Sequence, residues 1–142
     1  MTSSTQTDLQ RMPNADNTIG VIGGGQLALM LGEAAQTRGL TLAVQASKAE
    51  DPAASLAKDL VIAESTDVRG TRELSSHCVG ITFENEWVAV DALMPLERQG
   101  VQFTPSLASL VPLVNKLSQR RLLNDLLIPS PDWISLAELN PG

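Results

Sequence analysis

Three consecutive glycines, Gly23-Gly24-Gly25, stand between a β-branched run and an apolar run with helical spacing. Glycine lacks a Cβ, so a backbone built from it turns tightly and presents its N–H groups. Where such a turn opens a helix, those groups and the helix dipole favour an anion, above all a phosphate. Gly23, Gly25 and Ala28 satisfy the spacing G-x-G-x-x-A, a pattern that gains weight only between a strand and a helix. A tight turn that holds nothing uses the same residues. Gln26 follows in the first helical turn, where its amide either reaches a ligand or meets solvent. Glu84-Asn85-Glu86 brings carboxylates able to accept hydrogen bonds from hydroxyls or an amine, and a solvated acidic loop is the alternative. Lys116 and Arg120, four apart with Arg121 beside them, suit a polyphosphate or form an ordinary solvated basic face. His77 and Cys78 are adjacent, and neighbours do not face each other as a nucleophile and its base must, so both read as structural.

These residues need elements to position them. Thr18–Ile22 is a continuous apolar run, the pattern of a buried parallel strand. Leu27, Met30, Leu31, Ala34 and Ala35 recur at helical spacing, with Gly39 as the stop. Leu40–Val44 is a second strand. Asp51-Pro52 reads as a cap and first turn of a short helix over Ala53–Lys58. Leu60–Ala63 is a third strand, Asp67 caps a helix through Leu74, and Val79–Phe83 is a fourth strand ending at the acidic segment. Val90–Gln99 reads as a helix closed by Gly100, and Val101–Phe103 as a fifth strand. Helical stretches follow from Pro105-Ser106 and over Leu113–Leu127, with Pro112 between them. Ile128-Pro129-Ser130-Pro131 is extended. Alternating strands and helices predict an α/β fold, a Rossmann-like open and mostly parallel sheet of about five strands with helices on both faces.

Composition narrows the function. At 142 residues the chain suits one domain with a real core. A formal net charge of −6 argues against nonspecific nucleic-acid binding. Tyrosine is absent and aromatics make up 3%, which disfavours a base-stacking surface. The lone Cys78 allows no intramolecular disulfide and is too little for the usual structural zinc site, so no metal site is expected and a reducing cytoplasm fits. No apolar stretch reaches the roughly 18 residues of a membrane span. Residues 1–17 lack the apolar core of a secretory signal and read as a disordered leader. A dinucleotide fold places an acid about 20 positions past its glycines to hold the ribose. The second strand instead runs into Val44-Gln45-Ala46-Ser47, which favours a single phosphate over NAD.

Several segments, in this order and spacing, resemble the N-terminal preATP-grasp domain of the N5-carboxyaminoimidazole ribonucleotide synthase family. They are Ile19–Leu27, Asp51-Pro52-Ala53-Ala54, Ile81-Thr82-Phe83-Glu84-Asn85-Glu86, Pro105-Ser106, Asn115–Arg120 and Ile128–Pro131. The resemblance implies part of an ATP-grasp ligase of purine biosynthesis that joins bicarbonate to 5-aminoimidazole ribonucleotide. ATP and Mg²⁺ drive that reaction through carboxyphosphate. The resemblance further implies substrate binding by Gly24, Gly25, Gln26, Leu27, Glu84 and Glu86, and ATP binding by Lys116. Homodimers are common in the family. On this reading residues 1–17 are leader, 18–128 the preATP-grasp domain, and 129–142 a linker toward an ATP-grasp domain that would hold the catalytic and metal-binding groups. The chain alone is then expected to hold no cofactor tightly and to be inactive. Four departures from the family pattern bear on the ligand contacts: Ala28-Leu29 in place of Gly-Arg, Trp87 in place of asparagine, Lys116 in place of arginine, and Pro112 inside a usually continuous helix. The rival readings are an NAD-type Rossmann domain and a non-catalytic binding module. A formate-using glycinamide ribonucleotide ligase is the nearest neighbour, and its loop more often has Glu at the position of Gln26.

Overall fold

The computed structural model describes residues 17–139. Strands β1 (Thr18–Ile22), β2 (Thr41–Ala46), β3 (Ala57–Ile62) and β4 (Gly80–Phe83) form one sheet in the order β3-β2-β1-β4. All three pairings are parallel. Helix α1 (Gln26–Gln36) joins β1 to β2, a 3-10 helix (Pro52–Leu56) joins β2 to β3, and α2 (Val68–Ser75) joins β3 to β4. Helices α3 (Val90–Arg98), α4 (Leu107–Leu110), α5 (Lys116–Asp125) and α6 (Leu136–Leu139) follow.

The two-residue period of a strand sorts side chains onto the two faces. Val21, Leu42 and Val44 pack with Ala28 of α1 and Ala53 of the 3-10 helix. Ile22, Ala43, Val61 and Ile81 pack on the other face with Leu74 of α2, Leu93 and Leu96 of α3, and Leu107 and Leu110 of α4. The connections run outward from β1 to β3 over one face, then return over the other face to β4. The direction of winding therefore reverses between β1 and β4, and at such a switch point the carboxyl ends of open α/β strands leave a crevice.

Four strands form where about five are expected. Val101–Phe103 makes only a parallel bridge from Phe103 to Ile81, closed by Ile81 N–H to Gln102 O at 2.8 Å and Thr104 N–H to Ile81 O at 2.9 Å. Pro105 has no N–H with which to extend it. β3 begins at Ala57, so the helix expected over Ala53–Lys58 shortens to the 3-10 helix. Asp51 stands at the N-cap of that helix, but its carboxylate turns back to accept from Ser47 N–H, Ser47 Oγ–H and Lys48 N–H. Asp67 does cap α2, accepting from Arg69 N–H at 2.9 Å.

The apolar period finds α1, but of its recurring residues only Ala35 packs, partly buried, against the sheet-facing cluster. Ala28 and Gly32 are the residues buried against the sheet, while Leu27 and Met30 are 57% and 54% exposed. Small residues let the helix approach closely, with the Gly32 position against Leu56 and Leu42, and the larger apolar side chains turn outward. α5 buries no residue fully, and Leu126 beyond it is exposed. The leader expected over residues 1–17 lies outside the described residues except for Asn17, whose carbonyl accepts from Thr41 N–H at 2.8 Å. Among the described residues no helix is long and apolar enough to cross a membrane.

The burial pattern sets an expected contrast in chemical denaturation. Leu74→Ala, at a position 0% exposed, is expected to cost about 2–5 kcal/mol. Met30→Ala should stay within about 0.5 kcal/mol. Equal losses at the two sites would show that the α1 face is covered after all.

Candidate functional site

The glycine loop leaves β1 at the switch point, and Glu84 leaves β4 beside it. The pairing of Ile22 with Phe83 fixes that proximity, and Glu84 N–H extends the ladder by donating to Ile22 O at 2.9 Å. The Glu84 side chain then folds across the loop, where its Oε2 accepts from Gly25 N–H at 2.9 Å. Gly25 is the N-cap of α1, which has no side-chain cap of its own and no acid in its first turn. A carboxylate from another strand therefore occupies the positive end of the helix. A hydrogen bond of this charged kind is worth about 1.5–3 kcal/mol. Glycine is required beneath it: a Cβ on Gly23 or Gly25 would run into the Glu84 carboxylate, and Gly23 also holds φ at +110°.

The loop amides are thus not all open, as the glycine spacing alone suggests. Gly23 N–H donates to Gln45 O at 2.9 Å and Gly25 N–H to Glu84. Those of Gly24, Gln26 and Leu27 have no protein acceptor among the described residues. A depression of about 240 Å³ lies over the loop, lined by Gly23–Gly25, Asp51, Glu64, Ser65, Glu84 and Asn85 among others. Its wall is rich in acceptors and suits hydroxyls or an amine. Its lip, the free amides at the start of α1, suits an oxyanion.

Of the residues singled out from sequence, Gly24, Gly25 and Glu84 converge on this depression, with Gln26 and Leu27 exposed just beyond. Glu86 and Lys116 do not line it. They meet each other instead, Lys116 Nζ lying 3.4 Å from Glu86 Oε1 with the lysine side chain 75% exposed. Asn115 sets the lysine at the first turn of α5 by accepting from Leu117 N–H and Ser118 N–H. His77 and Cys78 sit at the opposite end of the sheet. His77 Nδ1 lies 3.5 Å from Asp59 Oδ1, and Cys78 Sγ–H donates to Leu74 O. Burial pushes the Cys78 thiol up, which suits an inert core thiol. Sequence reasoning missed Asp51, Glu64 and Ser65 as pocket residues. It also read Gln45 only as a missing acid, although a polar residue inside the apolar strand Thr41–Ala46 was itself a signal.

Residues 16–112 match the family described as the ribonucleotide synthetase preATP-grasp domain. The N5-carboxyaminoimidazole ribonucleotide synthase of Synechocystis sp. is 48% identical over 122 residues, covering 86% of this chain and 31% of that protein. The enzyme of the same name from Synechococcus elongatus is 46% identical, covering 84% and 30%. Among solved structures, the N5-carboxyaminoimidazole synthase of Aspergillus clavatus in complex with ADP and 5-aminoimidazole ribonucleotide superposes with a TM-score of 0.70 at 29% identity, over 85% of this chain and 32% of that one. The chain thus spans under a third of the length of these relatives.

The Glu86–Lys116 pair yields a titration test. The Glu86 backbone N–H, and after it Lys116, hold the Glu86 carboxyl below its ordinary range. A carboxyl lowered in the folded state favours folding at neutral pH, and that contribution fades as pH falls through the lowered value. Lys116→Met should move the Glu86 midpoint upward but leave it below the ordinary range, because the backbone donor remains. Carbon-13 NMR of the carboxyl measures it, and an unmoved midpoint would refute the pair.

Proposed function

The chain belongs to the ribonucleotide synthetase preATP-grasp domain family, and from that premise we propose that it forms the substrate-nucleotide end of an ATP-dependent ligase of purine biosynthesis. The reaction is carboxylation of 5-aminoimidazole ribonucleotide with bicarbonate to N5-carboxyaminoimidazole ribonucleotide, with residues 18–128 as the unit that contributes. The names of the relatives support the reaction, and the bound nucleotides of the Aspergillus clavatus structure support the substrate class.

The observation that carries this reading is the Glu84 carboxylate resting on the N-terminus of α1 beside unclaimed amides. A ribonucleotide has both chemistries this arrangement needs. Its hydroxyls or amine donate to the acidic wall of Glu84, Glu64 and Asp51, and its phosphate accepts from the amides of Gln26 and Leu27. Glu84 also keeps the phosphate off Gly25, so the phosphate has one orientation at the lip. The NAD reading is less favoured because the end of β2, where a dinucleotide fold keeps its ribose-binding acid, carries the buried Gln45.

Lys116 is the group for an ATP phosphate, which would draw it from Glu86. Among the described residues no group of three or more His, Cys, Asp or Glu side chains is placed to hold a metal ion. A reducing cytoplasm fits this role, since a lone thiol stays reduced there. Pairing of two copies would give the homodimer common in the family.

The test is calorimetric titration of the 142-residue chain with 5-aminoimidazole ribonucleotide. Binding is expected without ATP-dependent release of ADP. Glu84→Gln keeps an acceptor for Gly25 N–H but removes the charge facing the ligand, and should weaken binding about tenfold to a hundredfold. Glu86→Gln should leave it within about twofold, since that residue lies outside the depression. Binding of NADH with none of the ribonucleotide would replace this reading with the dinucleotide one.

A further inference from the structure

Four loops meet at the carboxyl edge of the sheet, and hydrogen bonds tie them into a ring. The glycine loop is tied to β2 by Gly23 N–H to Gln45 O at 2.9 Å. β2 is tied to the β3–α2 loop by Gln45 Nε2–H, which donates to Glu64 O at 2.6 Å and Asp67 O at 3.2 Å. That loop is tied to the β4–α3 loop by Ser65 Oγ–H to Trp87 O at 2.9 Å. Glu84 closes the ring on Gly25. Only one side chain in the ring is wholly buried: Gln45 is 0% exposed. Its orientation is fixed on both sides, because two carbonyls face Nε2 while Thr71 Oγ1–H donates to Oε1 at 2.9 Å. A glutamate there would turn a carboxylate toward two carbonyls, and a methionine would remove the tie from β2, leaving Glu64 O only the N–H of Asp67 and Asp67 O only the donors of Thr71, all within the β3–α2 segment itself.

We propose that Gln45 is a positioning residue for the ribonucleotide depression, holding the Glu64–Ser65 wall at the distance from the glycine loop that the ligand requires. The inference rests on the ribonucleotide reading of the site. It assigns a task to the strand position where a dinucleotide fold would keep its ribose-binding acid.

The experiment compares the wild-type chain, Gln45→Met, and a core variant, Leu96→Val or another chosen so that its melting temperature matches that of Gln45→Met. All are measured where circular dichroism shows them fully folded. Hydrogen–deuterium exchange without ligand should quicken about tenfold over residues 63–68 in Gln45→Met and stay unchanged over α3. Calorimetry with 5-aminoimidazole ribonucleotide should show about a tenfold loss of affinity in Gln45→Met and none in the core variant. Should Gln45→Met fail to fold, Thr71→Val, which keeps both Nε2 bonds of Gln45 while freeing its Oε1 and removing the long 3.4 Å contact of Thr71 Oγ1 with Asp67 O, is expected to show the same pattern more weakly. Wild-type exchange and affinity in the folded variants overturn the proposal, as does an equal affinity loss in the matched core variant. If the wild-type chain does not bind the ribonucleotide while exchange still quickens over 63–68 alone, the functional reading fails and the loop-holding role of Gln45 stands.

Discussion

The site depends on one contact, the Glu84 carboxylate on the amide of Gly25. α1 starts without a side-chain cap of its own and without an acid in its first turn, so its positive end would otherwise face the crevice bare. The carboxylate comes from the neighbouring strand in space, 59 residues later in the chain. Parallel pairing of β4 with β1 is what brings it there. The absence of Cβ atoms at Gly23 and Gly25 gives it room. Sheet order, strand register and glycine placement are thus joined in one bond, and the depression around it inherits its shape from all three.

The bond also divides the crevice chemically. Without Glu84 the start of α1 would be an undifferentiated anion site. With it, acceptors line the floor and free donors line the rim, and the two lie within reach of one small molecule. On the function proposed above, this is the pairing that a molecule with a hydroxyl- or amine-bearing end and a phosphate end would use. The net charge of −6 gives no hint of this arrangement, because recognition lies in the placement of a few groups and not in their sum.

Much of the fold around the crevice is legible in the sequence. β1, α1 and the glycine turn announce themselves through local chemistry: an apolar run, a breaker without a Cβ, and a helical period. Glu84 was legible as the residue after a strand. Its bond to Gly25 was not, because it depends on which strands lie side by side. Which residues of α1 meet the sheet is not legible, because periodicity reports where apolar residues recur, and Ala28 and Gly32 take the innermost positions by being small. The fifth strand was overcounted because Val101–Phe103 has strand-like residues but Pro105 follows too soon. Gln45 escaped notice for a different reason: it was judged by the acid it was not, while its own amide had three partners waiting in a loop and a helix about 20 residues downstream.

The two carboxylates flanking Asn85 differ in a way that ionic strength exposes. Glu86 is held partly by an ammonium group out in solvent, and mobile ions weaken such a pair at distances comparable to the Debye length, about 8 Å in physiological saline. Glu84 is held by a main-chain dipole at close range in a half-buried setting, where added electrolyte has little to act on. As salt rises, the outer latch would slacken while the floor of the crevice kept its form, so the two ends of one short loop would answer differently to the same change of medium.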